Sequence, residues 1–340
     1  MKSANRYLIG TFFLVVGGFA MLRSALPNTA LSCADASADE LYLEKGCVEA
    51  AKSMKHLENV VAFKLHAFTK FYQGERLVEQ EVWLEGRNDK FWCQTLNVGE
   101  KDKSRIEKEI RAAEIVNADR KETIIFDGKR SIQHRPIGML VLMEDAEGFV
   151  GPSASNYLIP ATWTNFSQSI QPGKYTYRYV LENSLAERTV KFVPNEKRIR
   201  VTYLHNPPKA FKFKWLEFDT SNFLVVASEE SGGIALAHSA QYEWQLSNGS
   251  PFVASGKVQL GDKIHFEWKI DSYTSNAREV RQSFALDESK LPLGTRIEED
   301  PHAKRGPRKI RFIGGTEGRK EHLLRQEALK IAFIKDGDKD

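Results

Sequence analysis

About fifteen short runs of alternating apolar and polar residues, spaced roughly 8 to 12 residues apart, occupy the chain from residue 61 onward, with no helical crossover between them. A period of two places successive side chains on opposite faces of a strand, so these runs demand a sheet with one apolar face. Ile264, Phe266, Trp268 and Ile270 alternate against His265, Glu267 and Lys269; Phe63 and Leu65 alternate with Lys64 and His66. Tyr175, Tyr177, Tyr179 and Leu181 read as the ring-bearing side of another strand. The absence of βαβ units excludes a doubly wound sheet and leaves an antiparallel sandwich or barrel.

Two chain ends depart from this pattern. Lys2 and Arg6 precede the apolar stretch Tyr7 to Leu22, and small residues follow, which is the order of a secretory signal. Cleavage is expected after Ser32 or after Ala34, making 1–34 a signal peptide; an uncleaved anchor is the alternative, although the stretch falls short of the ~17 to 25 residues that span a bilayer. The expected location is periplasmic or secreted. Asp39 to Leu57 reads as one amphipathic helix, with a capped start at Asp39. From Pro301 to Asp340 there are eleven Lys and Arg against six Asp and Glu, a surplus of five that exceeds the whole chain's +4. Residues 300–340 therefore read as a basic tail with a short helix, free to touch anionic headgroups, while 39–299 form the domain.

That near-balance of charge argues against nucleic acid as a partner, because phosphate neutralisation needs a large cationic surplus. Three cysteines, Cys33, Cys47 and Cys93, lack metal or redox spacing; Cys33 to Cys47, Cys47 to Cys93 and a buried free Cys93 all stay open. The eight histidines fall in no ligand spacing, and Gly151-Pro152-Ser153-Ala154-Ser155 lacks the closing glycine of a nucleophile elbow. No catalytic residue, metal or cofactor is expected. The surplus is aromatic: twenty Phe, ten Tyr and six Trp, many on one face of successive strands. Such a face either packs into a filled core or encloses an apolar cavity, in which each buried CH₂ of a guest contributes about 0.8 kcal/mol. Phe63, Leu65, Trp83, Tyr177, Tyr179, Trp215, Phe266 and Trp268 are the candidate lining residues, as cavity or as core.

In order along the chain stand Trp83-Leu84-x-Gly86 with Lys90-Phe91, then Phe126-Asp127-Gly128-Lys129, Gly256 to Gly261, and Phe284-Ala285-Leu286 leading to Leu291-Pro292-x-Gly294. With the opening helix and the exported start, this order resembles the lipoprotein-carrier superfamily of LolA, LolB and RseB over about Asp39 to Glu299. The resemblance implies a mainly β fold, an antiparallel open half-barrel with helices as a lid; Pro152 to Ile170, which with Trp163 and Phe166 reads as a loop leading into a short helix, is a candidate to cover an open mouth. It implies non-enzymatic carriage of a lipid or lipoprotein acyl chain. The alternative is an envelope interaction or stress-sensor module with a filled core that binds another protein.

Overall fold

The computed structural model describes residues 37–54, 62–73, 76–88, 90–99, 103–145, 174–182, 188–193, 196–204, 213–230, 238–247, 249–275, 278–299 and 309–337. All lie in one compact unit, Ser37–Asp340. The expected signal segment, Cys33 and the stretch Pro152 to Ile170 lie outside the described residues.

Fifteen strands form one sheet: β1 (Ala62–Gln73), β2 (Arg76–Arg87), β3 (Lys90–Asn97), β4 (Glu122–Phe126), β5 (Arg130–Arg135), β6 (Leu140–Asp145), β7 (Arg188–Val193), β8 (Arg198–Tyr203), β9 (Phe213–Asp219), β10 (Val225–Glu230), β11 (His238–Ser247), β12 (Ser250–Leu260), β13 (Lys263–Thr274), β14 (Arg296–Glu299) and β15 (Lys309–Phe312). They stand in the order β15-β14-β6-β5-β4-β3-β2-β1-β13-β12-β11-β10-β9-β8-β7. Among the described residues every ladder is antiparallel except β14 on β6. The two ends, β7 and β15, do not pair with each other among the described residues, so the curved sheet is an open half-barrel rather than a closed one.

Helix α1 (Ala38–Ser53) starts two residues earlier than a cap at Asp39 would place it. Ser37 is its cap and accepts from the Glu40 backbone N–H, while Asp39 and Glu40 lie in the first turn, where the helix dipole favours acids. Helix α3 (Lys174–Glu182) replaces the strand expected at 175–181. Thr176, Tyr177, Tyr179 and Val180 are buried while Arg178 and Glu182 pair at 2.6 Å across one exposed turn, a helical division of faces that the alternating tyrosines disguise. At the Asp127-Gly128 hairpin only Gly128 has positive φ, 92°, so the turn is not the two-residue type I′ form. Asp127 instead accepts from the Lys129 and Arg130 N–H groups at 2.8 and 2.7 Å.

The described part of the expected tail, residues 309–337, packs onto the domain rather than standing free. β15 extends the sheet, and helix α4 (Gly315–Gly337) packs Leu329 against Ala112 and Val116 of α2 (Lys103–Val116) and against Met139. His322, buried in the same helix, donates from Nδ1 to the Gly294 carbonyl at 3.0 Å. On the outer face of the first half of the sheet, Val280, Phe284 and Leu291 cover Ile125, Ile132, Val141 and Ile297. Arg281 ties that covering segment down, its guanidinium 3.7 Å from the Trp92 ring centre and its backbone N–H 2.9 Å from Glu85.

Candidate functional site

The inner face of the half-barrel is the face that α1 and α3 cover. α1 contributes Leu43, Cys47, Ala50 and Met54, and α3 contributes Tyr177, Tyr179 and Val180, to the same buried cluster as Phe63, Leu65, Phe266 and Trp268. Two rings lie flat on the sheet because glycine stands beneath them: a Cβ at Gly256 would collide with the Trp268 indole, and one at Gly86 with the Phe63 ring. The ring spacing is that of packed aromatic contacts, with Tyr179 5.5 Å from Tyr203 and 5.2 Å from Phe213, and Phe266 5.6 Å from Trp268. Tyr177 accepts from the Val225 N–H at 3.2 Å, which fixes α3 over β10.

Six of the eight expected lining residues, Phe63, Leu65, Tyr177, Tyr179, Phe266 and Trp268, thus come together on one face. Trp83 and Trp215 do not, and this corrects their assignment. Val82 and Leu84 of β2 point inward, so alternation turns Trp83 outward with Glu81 and Glu85; its ring stacks on His66, and Lys121 Nζ sits 4.1 Å from its centre. On β9, Leu216 and Phe218 point inward, and Trp215 lies outside, donating its indole N–H to Glu229 at 2.7 Å beneath the Arg200 guanidinium. Both indoles belong to polar ladders on the outer face. Cys47 and Cys93 are buried free thiols, each pushed up to about 12 by burial, which leaves them unreactive at neutral pH.

Two features were hidden from the sequence. One is Arg188 on edge strand β7, only 1 % exposed, which holds both cover helices at once. It donates to Glu40 at 2.7 Å and Glu44 at 3.4 Å on α1, and to the Val180 carbonyl on α3 at 2.7 Å. Glu40 and Glu44, one helical turn apart, advertise a cation between them, but nothing local identifies residue 188 as its source. The other is a cleft of about 390 Å³ where the end of α1 meets the β9–β10 turn and the β11–β12 hairpin. Ala50, Leu224, Trp244, Leu246 and Pro251 form its apolar wall, and Glu49, Ser53, Asn222 and Gln245 its polar rim. Its inner wall reaches the main core, because Ala50 belongs to that cluster and Trp244 packs against it while donating to the Val225 carbonyl at 2.7 Å. Among the described residues no group of His, Cys, Asp and Glu is placed to hold a metal ion, and no helix is long and apolar enough to cross a membrane.

Fold and cleft together define an open antiparallel half-barrel whose inner face is roofed by two helices. No protein-family model and no curated protein matches the chain. Solved structures that do resemble it include a domain from Vibrio parahaemolyticus described as an outer membrane lipoprotein-sorting protein, 9 % identical with a TM-score of 0.32, covering 73 % of this chain and 97 % of that one. A LolA superfamily protein from Nitrosomonas europaea is 10 % identical with a TM-score of 0.27, covering 71 % of this chain and 97 % of its own. MucB is 9 % identical with a TM-score of 0.22, covering 72 % of this chain and 62 % of its own. The resemblance read from the sequence recurs among these neighbours. At such identities and TM-scores they carry no weight for the function, which has to come from the chain's own side chains.

Proposed function

We propose that this protein is a non-enzymatic, exported carrier that shelters the acyl chain of a lipid or lipoprotein between the inner face of the half-barrel and helices α1 and α3. The observation that carries this reading is the cleft beside α1: an apolar wall continuous with the ring-lined core, opening to solvent at Leu246, which is 71 % exposed. Its size falls within the ~300 to 1,000 Å³ of small-molecule sites. A hydrocarbon needs no directional chemistry, only apolar surface and exclusion of water. Purified without detergent, the protein is expected to retain a fatty acid or phospholipid in native mass spectra and to bind cis-parinaric acid with a rise in fluorescence. Leu246→Glu, at a position too exposed to affect folding, is expected to weaken the probe about tenfold by placing a charge at the mouth. Absence of both acyl mass and probe binding in the wild type would sink the carrier reading.

The interaction-module reading keeps one specific support. The six inner residues that do converge are at most 6 % exposed, so in this state the roofed face is filled by its own side chains.

Contact with an anionic membrane, expected of the tail, would fall to α4. His322 and Leu329 face inward, and Leu323, Leu324 and Ile331 on the opposite side are each more than half exposed, near Arg319, Lys320 and Lys330. An apolar stripe with flanking cations suits a helix lying at a lipid surface. Phosphatidylglycerol vesicles are expected to carry the protein upward in flotation, phosphatidylcholine vesicles much less, and Leu323→Glu/Leu324→Glu to abolish the difference. Equal flotation of the variant would remove α4 from that role.

A further inference from the structure

β10 ends in two glutamates that meet different fates. Glu229 lies outside, accepting from Lys214 and from the Trp215 indole, each at 2.7 Å. Glu230 turns inward. Its register partner on β9 is Phe213, a member of the inner cluster, and directly opposed residues of an antiparallel pair share a face. Glu230 is 8 % exposed, and its Oε1 has no hydrogen-bond partner among the described residues. Phe213, which stands opposite it, lies 5.2 Å from Tyr179 and so carries an aromatic contact to α3. A buried carboxyl oxygen without a partner is costly and needs a cause, and the position of Glu230 puts it on the one face the proposed function uses.

We infer that Glu230 is the polar contact of the carried molecule: its protonated carboxyl donates a hydrogen bond to the carbonyl oxygen of an acyl ester or acyl amide whose hydrocarbon lies along the inner face. This rests on the carrier reading and adds to it the chemistry of the guest's polar end. A neutral carbonyl suits the site because the carboxyl beside it is neutral too. Burial alone pushes Glu230 up to about 8 from 4.5, so at neutral pH the O–H is present to donate. Its register partners are the titratable His238 on β11 and the apolar Phe213 on β9, and the phenols Tyr179 and Tyr203 belong to the same buried cluster as Phe213. Burial raises Tyr203 as well, so that phenol stays neutral across the same range.

Methyl cis-parinarate tests this directly, because the ester carries no titratable group and any pH dependence of its binding belongs to the protein. Wild-type protein is expected to bind the ester at pH 6.5 and to lose about tenfold in affinity by pH 9.5, as the donor becomes a buried anion. Glu230→Gln keeps a donor, so it should bind at pH 6.5 and show a flat profile up to pH 9.5. Glu230→Leu should bind about tenfold more weakly than wild type at pH 6.5, with thermal melting confirming that it is folded. A Glu230→Gln profile as steep as wild type, or a folded Glu230→Leu with unchanged affinity, overturns the inference and leaves the carrier reading standing. No binding of the ester or of cis-parinaric acid to wild type at any pH overturns both.

Discussion

Replacing Arg188 by methionine is expected to lower stability by about 3 kcal/mol and, well below the melting temperature, to open the inner face to an apolar dye. The guanidinium is almost fully buried and bonds Glu40, Glu44 and the Val180 carbonyl, so one side chain joins edge strand β7 to both roof helices. Methionine fills similar volume but supplies no donor, leaving the carbonyl and two carboxylates without their shared cation. The cost lies at the low end of the ~3 to 5 kcal/mol for breaking a buried pair, because Glu40 and Glu44 are 23 % and 35 % exposed and recover part of their hydration. Denaturant unfolding measures the loss, and 1-anilinonaphthalene-8-sulfonate fluorescence reports the opening. A variant that loses stability yet binds no more dye than wild type would mean that Arg188 is only a structural tie and that the roof does not lift as a unit. Lysine at the same position should recover little, since an ammonium cannot serve two helices with a planar fork.

How far the sequence could be read depended on whether a residue's partner was local. β13 was legible because Phe266, Trp268 and Ile270 alternate within one strand and all are buried, and a period of two needs no knowledge of the rest of the chain. The number of such runs pointed to a sandwich or barrel, and the ordered motifs that resemble the carrier superfamily pointed to its open half-barrel. Three departures have physical reasons. At 175–181 three tyrosines at spacing two imitate a strand, yet the Arg178–Glu182 pair at i, i+4 and the short buried stripe beside it fit a helix equally well; packing on β10 decides. Hydrophobicity alone places Trp83 and Trp215 inside, whereas their neighbours Leu84 and Leu216 already claim the inner face, and an indole at a half-exposed position finds carboxylates and cations to stack with. The charge of the last forty residues concealed Leu329 and His322, the two positions of α4 that dock it. Arg188 and Glu230 were not legible at all: each is defined by elements far away in sequence, and an Arg or Glu in a strand ordinarily reads as a solvent-facing position.

Trp268→Ala separates the two functional readings more sharply than any surface change. Trp268 is 1 % exposed, the largest fully buried side chain among the described residues, and packs on Gly256 between Phe266 and Tyr242. Truncating it is expected to cost about 4 kcal/mol, and to lower the melting temperature by roughly 10 °C, because the rigid β12–β13 backbone cannot collapse into the space left. If the inner face is a filled core that merely supports a docking surface, the loss of stability is the whole effect. If it is an acyl site, the vacated indole volume adjoins the guest, so the variant should bind long-chain or branched parinarate analogues as tightly as the wild type binds cis-parinaric acid, or more tightly. A guest occupying that hollow would also restore part of the lost melting temperature, in proportion to the logarithm of its concentration. A destabilised variant with no change in chain preference and no recovery on adding fatty acid would favour the filled core, and would assign the inner rings to stability alone.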